Sequence, residues 1–203
     1  MPTAILNHLQ ATDPILKQVI VEIGPYRPEN RFAQSDLFSV LTWAIISQQI
    51  SLKAANTVYQ RLLNLYPDSR LSPETLLTTP EDTLRQIGLT RPKVSYLRDL
   101  ARNAIATLPP LETLNQMDDA AVIATLTQVK GIGPWTAQML LIFRLNRLDV
   151  LPVADLGVRR AIQQLYNLDT LPDRTTIERI AQPWQPYRSV AVWYLWRSLG
   201  QKI

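Results

Sequence analysis

Helix starts punctuate this chain. Asp13-Pro14, Ser72-Pro73 and Thr79-Pro80 each set a capping side chain directly before a proline. The capping oxygen accepts a first-turn N–H, and proline suits the first helical position because it has no N–H to leave unsatisfied. The fifteen prolines among 203 residues fall mostly at such starts or in loops. That distribution fits many short helices joined tightly.

The apolar spacing between these marks is helical almost throughout. Asp13 opens a helix from Pro14 that stops at Gly24-Pro25. Asp36 caps Leu37 to Ile46, which is apolar nearly all round and therefore expected to be buried. Ser51 caps an amphipathic helix through about Tyr66. Ser72 and Thr79 start two more, and Thr79-Pro80-Glu81-Asp82 resembles a capping box. Thr90 precedes a helix to about Ala106, with Pro109-Pro110 beyond it. Asp118 begins another, and further helices are expected from Pro134 to about Leu145, from Asp155 to about Tyr166, and near 173–181 and 187–199. Leu148 to Val153 comes nearest to a strand and reads as a loop. The fold class is all-α.

Composition narrows the chemistry. Apolar residues make up 46% of the chain, enough for a globular core, and no run reaches the ~20 apolar residues of a bilayer span. The first residues lack the basic and long apolar regions of a signal peptide, so a cytoplasmic location is expected. Cysteine is absent, which excludes disulfides, thiol nucleophiles and Cys-ligated metal centres. The one histidine, His8, is expected near a mobile terminus, so neither a Ser-His-Asp triad nor a multi-histidine metal site is expected. Chemistry is left to carboxylates, lysine, hydroxyls and the backbone. Residues 1–129 hold eleven Lys/Arg against twelve Asp/Glu, whereas residues 130–203 hold ten against five. That asymmetry suits a polyanionic partner, although ordinary proteins show it too.

Val129-Lys130-Gly131-Ile132-Gly133-Pro134-Trp135-Thr136-Ala137 is the most telling stretch. Gly131 and Gly133 can take positive φ and put no side chain between backbone and ligand. Pro134 opens the next helix, whose first N–H groups and dipole favour a phosphate. Lys130 adds a positive charge. A glycine C-cap linking two helices would explain the same residues without a ligand. Downstream, Asp155 stands in Leu151-Pro152-Val153-Ala154-Asp155-Leu156-Gly157, where it reads equally as an N-cap or as a working carboxylate.

The nine-residue string resembles the helix–hairpin–helix of the HhH-GPD DNA glycosylase superfamily, which pairs that hairpin with a Gly/Pro-rich loop and an essential aspartate. Ile45-Ile46-Ser47-Gln48-Gln49-Ile50-Ser51 is similar to the segment carrying the residue that fills the gap left by an extruded base. The Asp155 loop is similar to the catalytic loop. Trp184-Gln185-Pro186-Tyr187-Arg188-Ser189-Val190-Ala191 resembles the C-terminal W-x-P-[WY]-R-S-x-A segment. Together these motifs point to the alkylpurine branch, the 3-methyladenine DNA glycosylase II type.

The resemblance implies a two-lobed helical fold with a DNA cleft between lobes. Residues 36–145 would form a middle lobe ending in the hairpin; residues 1–35 and 146–203 would form the second, carrying Asp155. It implies that Asp155 is catalytic. It implies that Gln49, Lys130, Gly131, Ile132, Gly133, Trp135 and Thr136 meet DNA, and that Trp135, Met139 and Tyr187 line the base pocket. The family often has Trp where this chain has Tyr187. Gln48 is expected to brace its loop. The backbone carbonyls of Thr127, Val129 and Ile132 would hold a structural Na+ or K+, with no cofactor required. Relatives that also nick the backbone place an imine-forming lysine where Trp135 stands, and tryptophan has no amine to offer. The expected activity is therefore monofunctional: water hydrolyses the N-glycosidic bond of an alkylated purine in double-stranded DNA and leaves an abasic site. The enzyme is expected to be a monomer without membrane attachment. The alternatives are a glycosylase for other damaged or mismatched bases, and a non-catalytic DNA-binding module. Trp43, Trp193 and Trp196 are expected to pack the core. Arg159 and Arg160 fit either phosphate contact or a solvated helix face.

Overall fold

The computed structural model describes residues 2–28 and 35–200. Every regular element among them is helical. In chain order the α-helices are α1 (Pro2–Thr12), α2 (Pro14–Ile23), α3 (Leu37–Ser47), α4 (Leu52–Leu63), α5 (Pro73–Thr78), α6 (Glu81–Gln86), α7 (Arg91–Ala106), α8 (Leu111–Gln116), α9 (Asp119–Leu126), α10 (Pro134–Phe143), α11 (Leu156–Leu165), α12 (Arg174–Ala181) and α13 (Arg188–Ser198). Among the described residues no helix is long and apolar enough to cross a membrane.

The caps legible in the sequence form. Asp13 Oδ1 accepts the N–H groups of Ile15 and Leu16, each at 2.9 Å. Asp36 takes Ser39 N–H at 2.8 Å, Ser51 takes Ala54 N–H at 3.2 Å, and Asp118 takes Ala121 N–H at 2.7 Å. Each satisfies a donor that the first helical turn would otherwise leave exposed. The capping box, however, lies at Ser72 with Thr75, not at Thr79. Thr79 turns its hydroxyl back to the Thr75 carbonyl at 2.7 Å, so α6 starts from Pro80 without a side-chain cap. His8, expected near a mobile terminus, lies inside α1, and α8, which follows directly on Pro109-Pro110, had no counterpart in the sequence reading. Helix α4 ends at Leu63 and α10 at Phe143, each short of the sequence-based end.

The chain forms two compact units, residues 32–137 and residues 1–31 with 138–203. The second division falls inside α10, ahead of the 145/146 boundary expected from sequence. In the first unit, α3 buries Phe38, Val40, Leu41, Thr42, Ile45 and Ile46 and packs on α4 and α7. Helix α7 contributes Leu97 and Leu100 to the same core and also carries α5 and α6.

In the other unit α13 is buried from Ser189 to Trp196 and packs on α2 and α11. A buried carboxylate ties this unit together. Asp13 caps α2 with Oδ1, while Oδ2 accepts the Tyr166 hydroxyl and the Trp184 indole N–H, the latter at 2.8 Å. A carboxylate removed from water needs such donors to offset its lost hydration.

Candidate active site

Within residues 32–137, α9 ends at Leu126 and the chain turns through Gln128–Gly133 into α10. Gly131 holds φ at +88°, and a Cβ there would lie 2.5 Å from two ring atoms of Tyr96. Glycine is thus required both by backbone conformation and by the approach of that ring. Gly133 differs from the expectation. It does not take positive φ, and a Cβ on it would meet nothing within 4 Å, so what it supplies is open space outside the turn.

The turn is held from two other elements. Asp99 of α7 accepts the Lys130 N–H at 2.8 Å, and Gln48 Nε2 donates to the Gly131 carbonyl at 2.8 Å. The Gln48 bond is the bracing contact expected from sequence; the Asp99 bond carried no sequence signal. Lys130 is exposed, and Trp135 is 44% exposed. Ile132 and Thr136 are buried, so these two offer a ligand backbone rather than side chain. Gln49 is exposed and adopts φ +59°. The Val129 carbonyl accepts the Ile132 N–H at 3.0 Å. A carbonyl oxygen has a second lone pair, so this bond is compatible with cation contact. Neutral carbonyl oxygens such as those of Thr127, Val129 and Ile132 suit a hard monovalent ion.

Within the other unit, Asp155 caps α11. Its Oδ1 accepts the Val158 N–H at 2.7 Å and the Trp196 indole N–H at 2.9 Å. The carboxylate is half-buried, and Trp196 is buried at 4% exposure. The Trp196 ring stacks on Phe143, with centroids 5.7 Å apart and planes at 21°. An aromatic wall and two aimed N–H donors therefore fix the orientation of one acid. Such a carboxylate can oppose positive charge developing on a sugar.

The loop leading to Asp155 is locked by the start of α13. Arg188 meets the Asp149 carboxylate with two nitrogens, Nε to Oδ1 at 2.7 Å and a terminal nitrogen to Oδ2 at 2.8 Å. The same terminal nitrogen reaches the Asp149 carbonyl at 3.1 Å. Ser189 N–H donates to the Leu148 carbonyl, and its Oγ accepts the Val150 N–H, both at 2.9 Å. Two tight turns follow, Val153 N–H to Leu151 O at 3.0 Å and Asp155 N–H to Pro152 O at 2.9 Å. The Arg-Ser pair of the C-terminal string thus shapes the Asp155 loop.

The remaining expected residues are placed as follows. Met139 lies one turn after Trp135 on α10 and is half-buried. Tyr187 is the N-cap residue of α13, half-buried, in T-shaped contact with the His8 ring at 5.3 Å between centroids. Arg159 is engaged within the fold, Nε to the Pro172 carbonyl at 3.1 Å, and Arg160 is exposed. Trp193 is buried as expected, whereas Trp43 is half-buried and its indole N–H lies 3.4 Å from Asn56. Trp196 is both core and site. The signal available for it was general: a buried indole N–H seeks an acceptor.

The chain is 33% identical over 193 residues to DNA-3-methyladenine glycosylase 1 of Schizosaccharomyces pombe, covering 94% of this chain and 85% of the relative. Its fold superposes with a TM-score of 0.90 on the structure of the Schizosaccharomyces pombe 3-methyladenine DNA glycosylase in complex with abasic DNA, at 31% identity and 98% coverage of both chains. A DNA-3-methyladenine glycosidase from Bacillus halodurans gives a TM-score of 0.84 at 32% identity, covering 97% of this chain and 89% of that one. Residues 42–186 match the HhH-GPD superfamily of base excision DNA repair proteins, and the chain belongs to that family.

Proposed function

We propose that this protein is a DNA glycosylase that excises alkylated purines of the 3-methyladenine type from duplex DNA. The observation that carries the reading is the fixed carboxylate of Asp155, in a chain similar along most of its length to 3-methyladenine glycosylases. The nucleotide is first turned out of the stack. As the N-glycosidic bond lengthens, positive charge grows on the deoxyribose, and the Asp155 carboxylate stabilises it and orients the attacking water. A purine nucleotide methylated at ring nitrogen N3 already carries positive charge, so its base leaves without strong acid assistance. One carboxylate then suffices where most glycosidases use two. Trp135 occupies the position of the lyase lysine, so no imine forms and the product is an abasic site.

The other roles follow from local placement. The backbone of the Gly131–Gly133 turn, the first turn of α10 through Thr136, and the Lys130 ammonium hold phosphate. Gln49 enters the space vacated by the extruded base. Trp135, Met139 and Tyr187 contact the base itself; electron-rich rings favour a cationic partner. Thr127, Val129 and Ile132 lend carbonyls to a monovalent cation beside the phosphate. No cofactor enters the reaction. The enzyme acts as a monomer in the cytoplasm.

The test is to incubate the purified protein with N-methylated duplex DNA and chromatograph the released bases. Free 3-methyladenine supports the reading. Salt-dependent DNA binding with no base released would instead indicate a binding module.

A further inference from the structure

We propose that Lys93 is the positioning residue that holds Gln49 ready for insertion into DNA. Among the described residues the non-glycine positions with positive φ are Gln49, Asp68, Ser69, Asn146 and Asn167. Three of these are Asp or Asn, for which a left-handed turn is comparatively cheap. Gln49 is a long side chain at φ +59° on an exposed tip. Such a conformation persists only where surrounding contacts impose it.

Those contacts are visible. Lys93 Nζ donates to the Ile46 carbonyl at 2.7 Å and to the Gln48 carbonyl at 2.9 Å. The Gln48 carbonyl belongs to the peptide plane whose rotation sets φ of Gln49. The Ile46 carbonyl lies at the C-terminal end of α3, where intrahelical donors have run out and a cation is favoured. One ammonium therefore closes the helix and fixes the peptide on which Gln49 turns. The Gln48 side chain holds the same residue from the other side through its 2.8 Å bond to Gly131. The tip that carries Gln49 is in this way tied to the hairpin turn. Partial burial pushes the Lys93 pKa below the ordinary lysine value. The role rests on Gln49 being the residue that fills the vacated space.

The test uses a duplex with an abasic-site analogue and 2-aminopurine directly opposite, whose fluorescence changes when a side chain enters the gap. Wild-type protein at saturation gives a change, and Gln49→Ala abolishes it. Lys93→Met lowers the amplitude about tenfold, the population shift that one unsupported left-handed residue allows. Its Kd for the duplex and its melting temperature stay close to wild type, since phosphate grip resides in the hairpin. Lys93→Arg restores the signal, because the guanidinium offers donors at similar reach. The proposal is overturned if Lys93→Met keeps the wild-type amplitude, if amplitude and affinity fall together, or if Gln49→Ala retains the change. Base release is scored separately. A wild-type protein that shows the fluorescence pattern but releases no alkylated purine overturns the glycosylase reading and leaves the Lys93 role standing.

Discussion

Trp196 donates its indole N–H to Oδ1 of Asp155 at 2.9 Å from a ring held against Phe143. Trp196→Phe removes the donor and keeps an aromatic surface for Phe143. Hydrogen bonds to charged groups contribute about 1.5–3 kcal/mol, so the excision rate is expected to fall by roughly one to two orders of magnitude. Affinity for abasic DNA should change little. Single-turnover excision beside equilibrium binding measures the split.

The Arg188–Asp149 pair is two-pronged and part-buried, with side chains 25% and 34% exposed. Isolated surface pairs contribute little, but a bidentate fork that also contacts backbone is a stronger case. In a cycle of Asp149→Asn, Arg188→Lys and the double variant, the coupling on thermal stability is expected at about 1–2 kcal/mol. Excision should fall in each single variant, because the pair shapes the loop that ends in Asp155. A coupling near zero would show that the pair does not hold that loop.

Much of this was legible in the chain. Asp13, Asp36, Ser51, Asp118 and Asp155 cap helices because their side chains need only local backbone donors, which sequence reveals. Gly131 was legible for the same reason, whereas Gly133 takes no positive φ. The bonds that organise the site join residues far apart in sequence: Trp196 with Asp155, Lys93 with Gln48, and Asp99 with Lys130. Nothing local marks such pairs, since each partner also makes sense as an ordinary core or surface residue. Thr79 shows the limit from the other side. Its local signal was good, and a competing bond to Thr75 within the preceding turn prevailed.

The absence of an amine at position 135 makes a clear chemical prediction. Reactions with damaged duplex DNA in the presence of borohydride should yield no trapped protein–DNA adduct, since only an imine is reduced to a stable link. Denaturing electrophoresis reads the outcome directly. An adduct would assign a Schiff-base lysine elsewhere in the chain.

The alkaline limb of stability should bear the mark of buried tyrosines. Tyr194 donates to the Gly24 carbonyl at 2.8 Å, and burial pushes its pKa up to about 12. In the unfolded chain the value is about 10. The folded protein keeps the proton longer, so unfolding releases it between these values, and stability falls as pH rises through that window. Burial acts on Tyr26 and Tyr166 in the same direction. Tyr194→Phe should lower stability near neutrality by about 1 kcal/mol through the lost hydrogen bond, and flatten the decline above pH 10. Melting temperatures from pH 8 to 12 test both effects.

On the proposed reading, the charge of Asp155, and not its capping bond, drives base release. Asn is as good an N-cap as Asp, so Asp155→Asn keeps the helix start while removing the charge. Single-turnover release of 3-methyladenine from methylated duplex DNA is the measurement. The predicted result is a rate lower by about a hundredfold to a thousandfold, with an unchanged melting temperature. A variant that releases the base at the wild-type rate would show that the Asp155 charge takes no part in the reaction.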